Sequence, residues 1–96
     1  MKSVYVFLNS IEKIKSFVKT VSQFDNDFEL ISERYVIDAK SIMGIFSLDL
    51  SYPIHLNICA EENIDQIMRA LDEYIIWDIR KIERAFHKAL SIFLIR

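Results

Sequence analysis

The sequence predicts an α+β fold with elements in the order βαββαβα around one hydrophobic core. Three observations predict it. Apolar residues alternate with a period of two near residues 2–8 and 54–59, which is strand patterning, and recur at helical spacing near residues 11–21 and from residue 64 onward. The stretches FELIS and YVID lie on either side of Glu33-Arg34 and form a hairpin signature. Ninety-six residues, 52% hydrophobic and 27% charged, suit one globular core rather than a disordered chain.

In chain order, Val4, Val6 and Leu8 alternate with Tyr5 and Phe7, so the first strand is apolar on both sides and covers roughly residues 2–8. Asn9 followed by Glu12 has the form of a capping box. Ile11, Ile14, Phe17, Val18 and Val21 then give one apolar face, with Lys13, Lys15 and Lys19 between them, in a helix ending near Phe24. The polar run Asp25-Asn26-Asp27 breaks that pattern, and the hairpin makes the second and third strands adjacent and antiparallel. Ser41 precedes Ile42, Met43, Gly44, Ile45 and Phe46 as the N-cap of a short helix to about Leu48. Pro53 suits the first residue of a fourth strand in which Ile54, Leu56 and Ile58 alternate with His55, Asn57 and Cys59. From Asn63, apolar residues hold a period near 3.6 with no glycine or proline to interrupt them, and the simplest expectation is one uninterrupted helix to Arg96.

The net charge of −2 hides an asymmetry: residues 1–77 carry seven Lys/Arg against twelve Asp/Glu, and residues 78–96 carry five against two. The body is therefore acidic at −5 and the tail basic at +3. A body without a basic face argues against direct nucleic-acid binding, whereas the tail suits an acidic protein surface. Arg80, Lys81, Arg84 and Lys88 beside apolar residues also keep peripheral membrane contact in view. No secretory leader or spanning segment is expected, and the lone Cys59 cannot form an intrachain disulfide. A reducing cytoplasm fits.

No catalytic constellation emerges, so an enzyme is not expected. His55 has no partner histidine or carboxylate at ligand spacing, and His87 sits among lysines and arginines. Cys59 has no base assigned to it and reads as a structural thiol. Glu61-Glu62 suits a helix N-terminus, and a single glycine cannot make a phosphate loop. Neither a metal nor a cofactor is expected.

The segment KSIMGIFSLDL resembles the KSIMG-x-x-SL segment of HPr, the phosphocarrier family of the bacterial sugar phosphotransferase system. VKTVSQFDNDFEL and AEENIDQIMRALDE resemble further parts of that family, so the resemblance spans roughly residues 2–76. It implies an open-faced sandwich, a four-stranded antiparallel sheet with its helices on one face. It also implies a phosphorylatable histidine at the start of the first helix, followed by Ala-Arg-Pro-Ala. Counting back from VKTVSQF, that histidine position falls at Ser10, the arginine at Glu12 and the proline at Lys13. The resemblance further places Ser41 at the family's regulatory phosphorylation site and Ile42, Met43 and Phe46 on a patch that partners grip. The expected function is a non-catalytic interaction or regulatory protein without carrier activity; the alternatives are a peripheral membrane-associated protein using the basic amphipathic tail and, ranked below it, a phosphoryl-transfer protein.

The chain divides into an HPr-like domain over residues 1–77 and a basic amphipathic extension over residues 78–96. On a continuous helix, Ile79, Ile82, Phe86, Ala89, Leu90 and Phe93 would overhang the sheet as an apolar stripe. Tyr5, Phe7 and Ile31 also make the sheet face away from the helices less polar than a solvated face. A homodimer through the tail is the resulting expectation.

Overall fold

Period-two alternation places four strands in one antiparallel sheet, β1 Lys2–Val6, β2 Asp27–Ser32, β3 Tyr35–Asp38 and β4 Ile54–Cys59, in the spatial order β1-β4-β2-β3. Helices α1 Ile11–Val21, α2 Ile42–Phe46 and α3 Ile64–Ala70 complete the order βαββαβα. The structure is a computed structural model that describes residues 1–32 and 35–77. Val4, Leu56, Leu30 and Ile37 are register partners across the sheet, as are Tyr5, His55, Ile31 and Val36. Leu30, Leu56 and Ile58 are fully buried beneath Ile14, Phe17, Val21, Ile45 and Ile67 of the helices. The Tyr5 row therefore belongs to the opposite face.

The hairpin of β2 and β3 pairs as the sequence indicates, from Glu29 with Asp38 to Ser32 with Tyr35. Ala39 continues it, donating to the Phe28 carbonyl at 2.9 Å. Ser41 caps α2 as expected, although the helix stops at Phe46 rather than near Leu48. A methyl group at Gly44 would stand 2.7 Å from Ile37 Cγ2, so this position brings α2 close to β3 and a β-carbon would force a shift.

Two expectations are corrected. α1 is capped by Ser10, whose Oγ accepts from the Lys13 amide, rather than by an Asn9–Glu12 capping box. The last helix is not continuous: α3 ends at Ala70, a 3₁₀ turn covers Asp72–Tyr74, and Ile75 is extended. Apolar burial explains the break. Tyr74 and Ile75 are 3% and 8% exposed, and a continuing helix would carry them away from the core. Instead Ile75 bridges Val6, Phe7 donates to the Tyr74 carbonyl and Ile76 donates to the Tyr5 carbonyl, both at 2.9 Å. Backbone bonds and buried side chains at the edge of β1 replace those a longer helix would have made. The predicted dimerisation residues Ile79, Ile82, Phe86, Ala89, Leu90 and Phe93 lie outside the described residues.

Candidate partner-binding surface

Leu8 is buried and ties the chain to the core immediately before α1. This leaves Ser10, in extended conformation, at the exposed start of the helix. Its hydroxyl accepts from the Lys13 amide at 3.1 Å and its carbonyl from the Ile14 amide at 3.0 Å. Serine suits this role because a short oxygen-bearing side chain can satisfy a first-turn donor. Glu12 places a carboxylate in the same turn, where the helix dipole favours negative charge.

α2 is positioned in the same way. The Ser41 hydroxyl accepts from the Gly44 amide at 3.1 Å, and the Lys40 amide donates to Asp38 at 2.9 Å. The Lys40 ammonium is half-buried, donating to the Phe24 carbonyl at 2.7 Å and lying 5.8 Å from the Phe28 ring centre. It locks the approach to α2 against the end of α1.

Between the start of α1 and the segment after α2 runs a shallow groove of about 380 Å³, lined by Leu8, Asn9, Ser10, Ile11, Ile14, Phe46, Leu50 and Ser51. Its rim is apolar: Ile11 is 60% exposed and Phe46 is 44% exposed, with Met43 at 76% one turn earlier on α2. Exposed large apolar residues grouped around a groove mark a protein-binding surface. Of the residues that the resemblance assigns to a patch, Met43 and Phe46 are exposed. Ile42 is half-buried and packs on the core. Ile11 is the residue that sequence reasoning missed; it shares the helical face of Ile14 and Phe17, so its spacing marked it as core.

The segment after α2 is ordered by Asp49, which accepts from the Ser51 amide and the Tyr52 hydroxyl, each at 3.0 Å. Hydrogen bonds from the Ser51 side chain, the Ser51 amide and the Tyr52 hydroxyl hold the Asp49 carboxyl below its usual 3.8. A carboxyl depressed by folding stabilises above its unfolded pKa, and that contribution is lost as pH falls through the folded value. The Asp49 carbon resonance is therefore expected to titrate below 3.8, with the Ser51 amide resonance moving at the same midpoint. A midpoint at or above 3.8 would show that these bonds do not form in solution.

No imidazole stands in this surface among the described residues. His55 lies in mid-sheet, stacked on Tyr5 with ring centres 5.3 Å apart, and His87 is outside the described residues. Cys59 is half-buried at the end of β4, with its carbonyl accepting from the Asn26 side-chain Nδ2 at 3.2 Å. No group of three or more metal-ligating side chains occurs among the described residues, nor is any helix there long and apolar enough to cross a membrane.

Comparison with known proteins agrees with this geometry. The model described as PTS HPr component phosphorylation site matches residues 13–76. The chain is similar to HPr-C-His from Thermoanaerobacter tengcongensis, with 26% identity and a TM-score of 0.62 over 91% of this chain and 97% of that one. It is similar to the phosphocarrier protein HPr from Bacillus anthracis str. Ames, with 26% identity and a TM-score of 0.61 over 78% of this chain and 94% of that one. The histidine-containing phosphocarrier protein of Mycoplasma shares the fold, with 18% identity and a TM-score of 0.57 over 80% of this chain and 98% of that one. No curated protein sequence matches the chain significantly. With a family match across more than half of its length, and with the strand order, caps and helical layer described above, the chain belongs to the HPr family of the phosphotransferase system.

Proposed function

We propose that this chain is a non-catalytic, protein-binding member of the family that does not carry phosphate, and that it uses the α1–α2 surface to engage protein partners. One observation carries the reading. The N-cap of α1, where the sequence resemblance locates the family's phosphohistidine, is Ser10, whose hydroxyl is held by the Lys13 amide. A serine hydroxyl is a poor reversible phosphoryl acceptor at neutral pH compared with imidazole. Glu12 adds negative charge where the resemblance calls for an arginine. The apolar rim of Ile11, Met43 and Phe46 supplies a surface for partners without any transfer chemistry.

Incubation with the general phosphotransferase enzyme and phosphoenolpyruvate is expected to leave the protein without acid-labile phosphate while an ordinary HPr in the same tube is labelled. Acid-labile phosphate on His55 or His87 at the rate of that control would overturn the reading.

By the sequence resemblance Ser41 falls at the family's regulatory serine, and in this chain its hydroxyl accepts from the Gly44 amide to start α2. We expect an HPr kinase to modify Ser41 slowly or not at all, because Glu12 stands where the resemblance places an arginine beside the phosphate. Labelling as efficient as that of ordinary HPr, abolished by Ser41→Ala, would restore a phosphorylation switch to this surface.

A further inference from the structure

The sheet face remote from the helices is a largely apolar strip with an acidic margin on each side. The strip is the cross-strand row Tyr5, His55, Ile31 and Val36, in which Val36 is 66% exposed. Along one side runs the row Ser3, Asn57, Glu29 and Asp38, with Asp27 beyond it opposite Cys59, so that margin carries three carboxylates. Along the other side the segment after α2 closes a hollow of about 310 Å³, lined by Asp49 and Tyr52 together with Tyr5, His55 and Ile31. The Ser51 amide and the Tyr52 hydroxyl fix the Asp49 carboxylate there. No lysine or arginine belongs to these rows.

These features decide what kind of occupant fits. An extended segment laid on a sheet face finds no backbone partners, because the strands use their amides and carbonyls on one another, whereas a helix satisfies its own. Open sheet faces in layered folds are accordingly covered by helices. Four strands span about 14 Å, the length of about nine or ten helical residues. The same face of a second copy would set carboxylates against carboxylates. The chain's own residues 78–96 have the wrong charge pattern: at helical spacing Lys81, Arg84 and Lys88 fall opposite the stripe of Ile79, Ile82, Phe86 and Phe93, while Asp78 and Glu83 fall beside it.

We infer that this sheet face docks an amphipathic helix of a protein partner, with the helix's apolar stripe on the Tyr5–Val36 row and lysines or arginines on both sides of that stripe paired with Asp27, Glu29 and Asp38 and with Asp49. Charge complementarity selects this occupant, since only a helix with cations flanking its stripe answers carboxylates on both margins at once. The site lies on the other side of the sheet from the α1–α2 surface, so one partner on each side can be held together, and it stands whether or not the chain carries phosphate.

The test is titration of the ¹⁵N-labelled full chain with a synthetic helix-forming peptide that has a leucine stripe at helical spacing and arginines on both sides of it, followed by nuclear magnetic resonance. A second peptide carries glutamate in place of every arginine. The amides of Glu29, Ile31, Val36 and Asn57 are expected to shift with the arginine peptide and to stay in place with the glutamate peptide. In a Glu29→Lys, Asp38→Lys variant, which exchanges one like-charged cross-strand pair for another, the arginine peptide should bind about tenfold more weakly or worse and the glutamate peptide should now bind. Shifts confined to Ile11, Met43 and Phe46, or equal affinity of both peptides for the unaltered chain, would overturn the assignment of this face. A face that the arginine peptide leaves unshifted, or whose resonances move when the protein alone is diluted, is covered by the chain's own tail or by a second copy, and either result overturns the inference.

Discussion

Phe17→Ala is expected to destabilise the protein by about 3–5 kcal/mol, a large fraction of the stability of a domain of this size. Phe17 has no exposed surface and stands at the centre of the buried face of α1, between Ile14 and Val21. Its ring meets Tyr74 edge-to-face, with centres 5.5 Å apart and planes at 85°. Truncation removes the transfer free energy of the ring and leaves a cavity that sheet residues such as Leu30 and Leu56 cannot fill, because strands held on both sides do not collapse inward. Urea and thermal unfolding by circular dichroism would measure the loss, at roughly 4–8 °C per kcal/mol for a chain of this length. Phe17→Leu keeps most of the volume and should lose less than about 1.5 kcal/mol. A Phe17→Ala loss below about 1 kcal/mol would contradict the packing of α1 on the sheet.

Tyr74→Ala should cost about 3 kcal/mol and should also change how the end of the chain is attached. Tyr74 contributes its ring to Phe17, its hydroxyl to a hydrogen bond with Ser16, and its carbonyl to the Phe7 amide. Tyr74→Phe isolates the hydroxyl and should cost only about 0.5–1.5 kcal/mol. The two aromatic substitutions are coupled through the ring contact, and a double-mutant cycle should return about 0.5–1.5 kcal/mol. Amide hydrogen exchange gives the second readout: the Ile76 and Phe7 amides should exchange faster in Tyr74→Ala than in Tyr74→Phe. Equal exchange in both would show that the seam along β1 does not depend on this side chain.

The parts of the fold that could be read from the sequence are those in which one periodicity has one explanation. The alternation of Ile54, Leu56 and Ile58 admits only a strand with one buried face, and FELIS and YVID around two charged residues admit only a hairpin. The break in the last helix was hidden because Ile67, Leu71 and Ile75 keep a spacing of four, which is helical, while Ile75 satisfies it from an extended conformation. What stops α3 is the affinity of Tyr74 and Ile75 for the edge of β1, and no glycine or proline announces a tertiary cause of that kind. The cap of α1 was misplaced by one residue because Asn9 and Ser10 are both good N-caps, and only the register of the helix on the core decides between them. At the candidate surface, the KSIMG segment pointed to Ser41 as the cap of α2, which it is, and to Met43 and Phe46, which are exposed. Ile11 was not legible, since an apolar first-turn residue on the core-facing stripe shows its exposure only once the helix is seen to extend past its support.

The short seam at Ile75 and Ile76 also bears on how the sheet meets other sheets. A four-stranded sheet has two lateral edges, and each can serve as a template for strand addition by another molecule. Here the Tyr5–Phe7 end of one edge is occupied by backbone bonds from the same chain, and the other end of that strand carries Lys2, a residue that discourages pairing. The opposite edge is a strand of four residues ending in Asp38. Strand-on-strand growth needs two receptive edges per molecule to propagate. Among the described residues the β3 edge is the one without such cover, and edge pairing is therefore expected to stop at two copies.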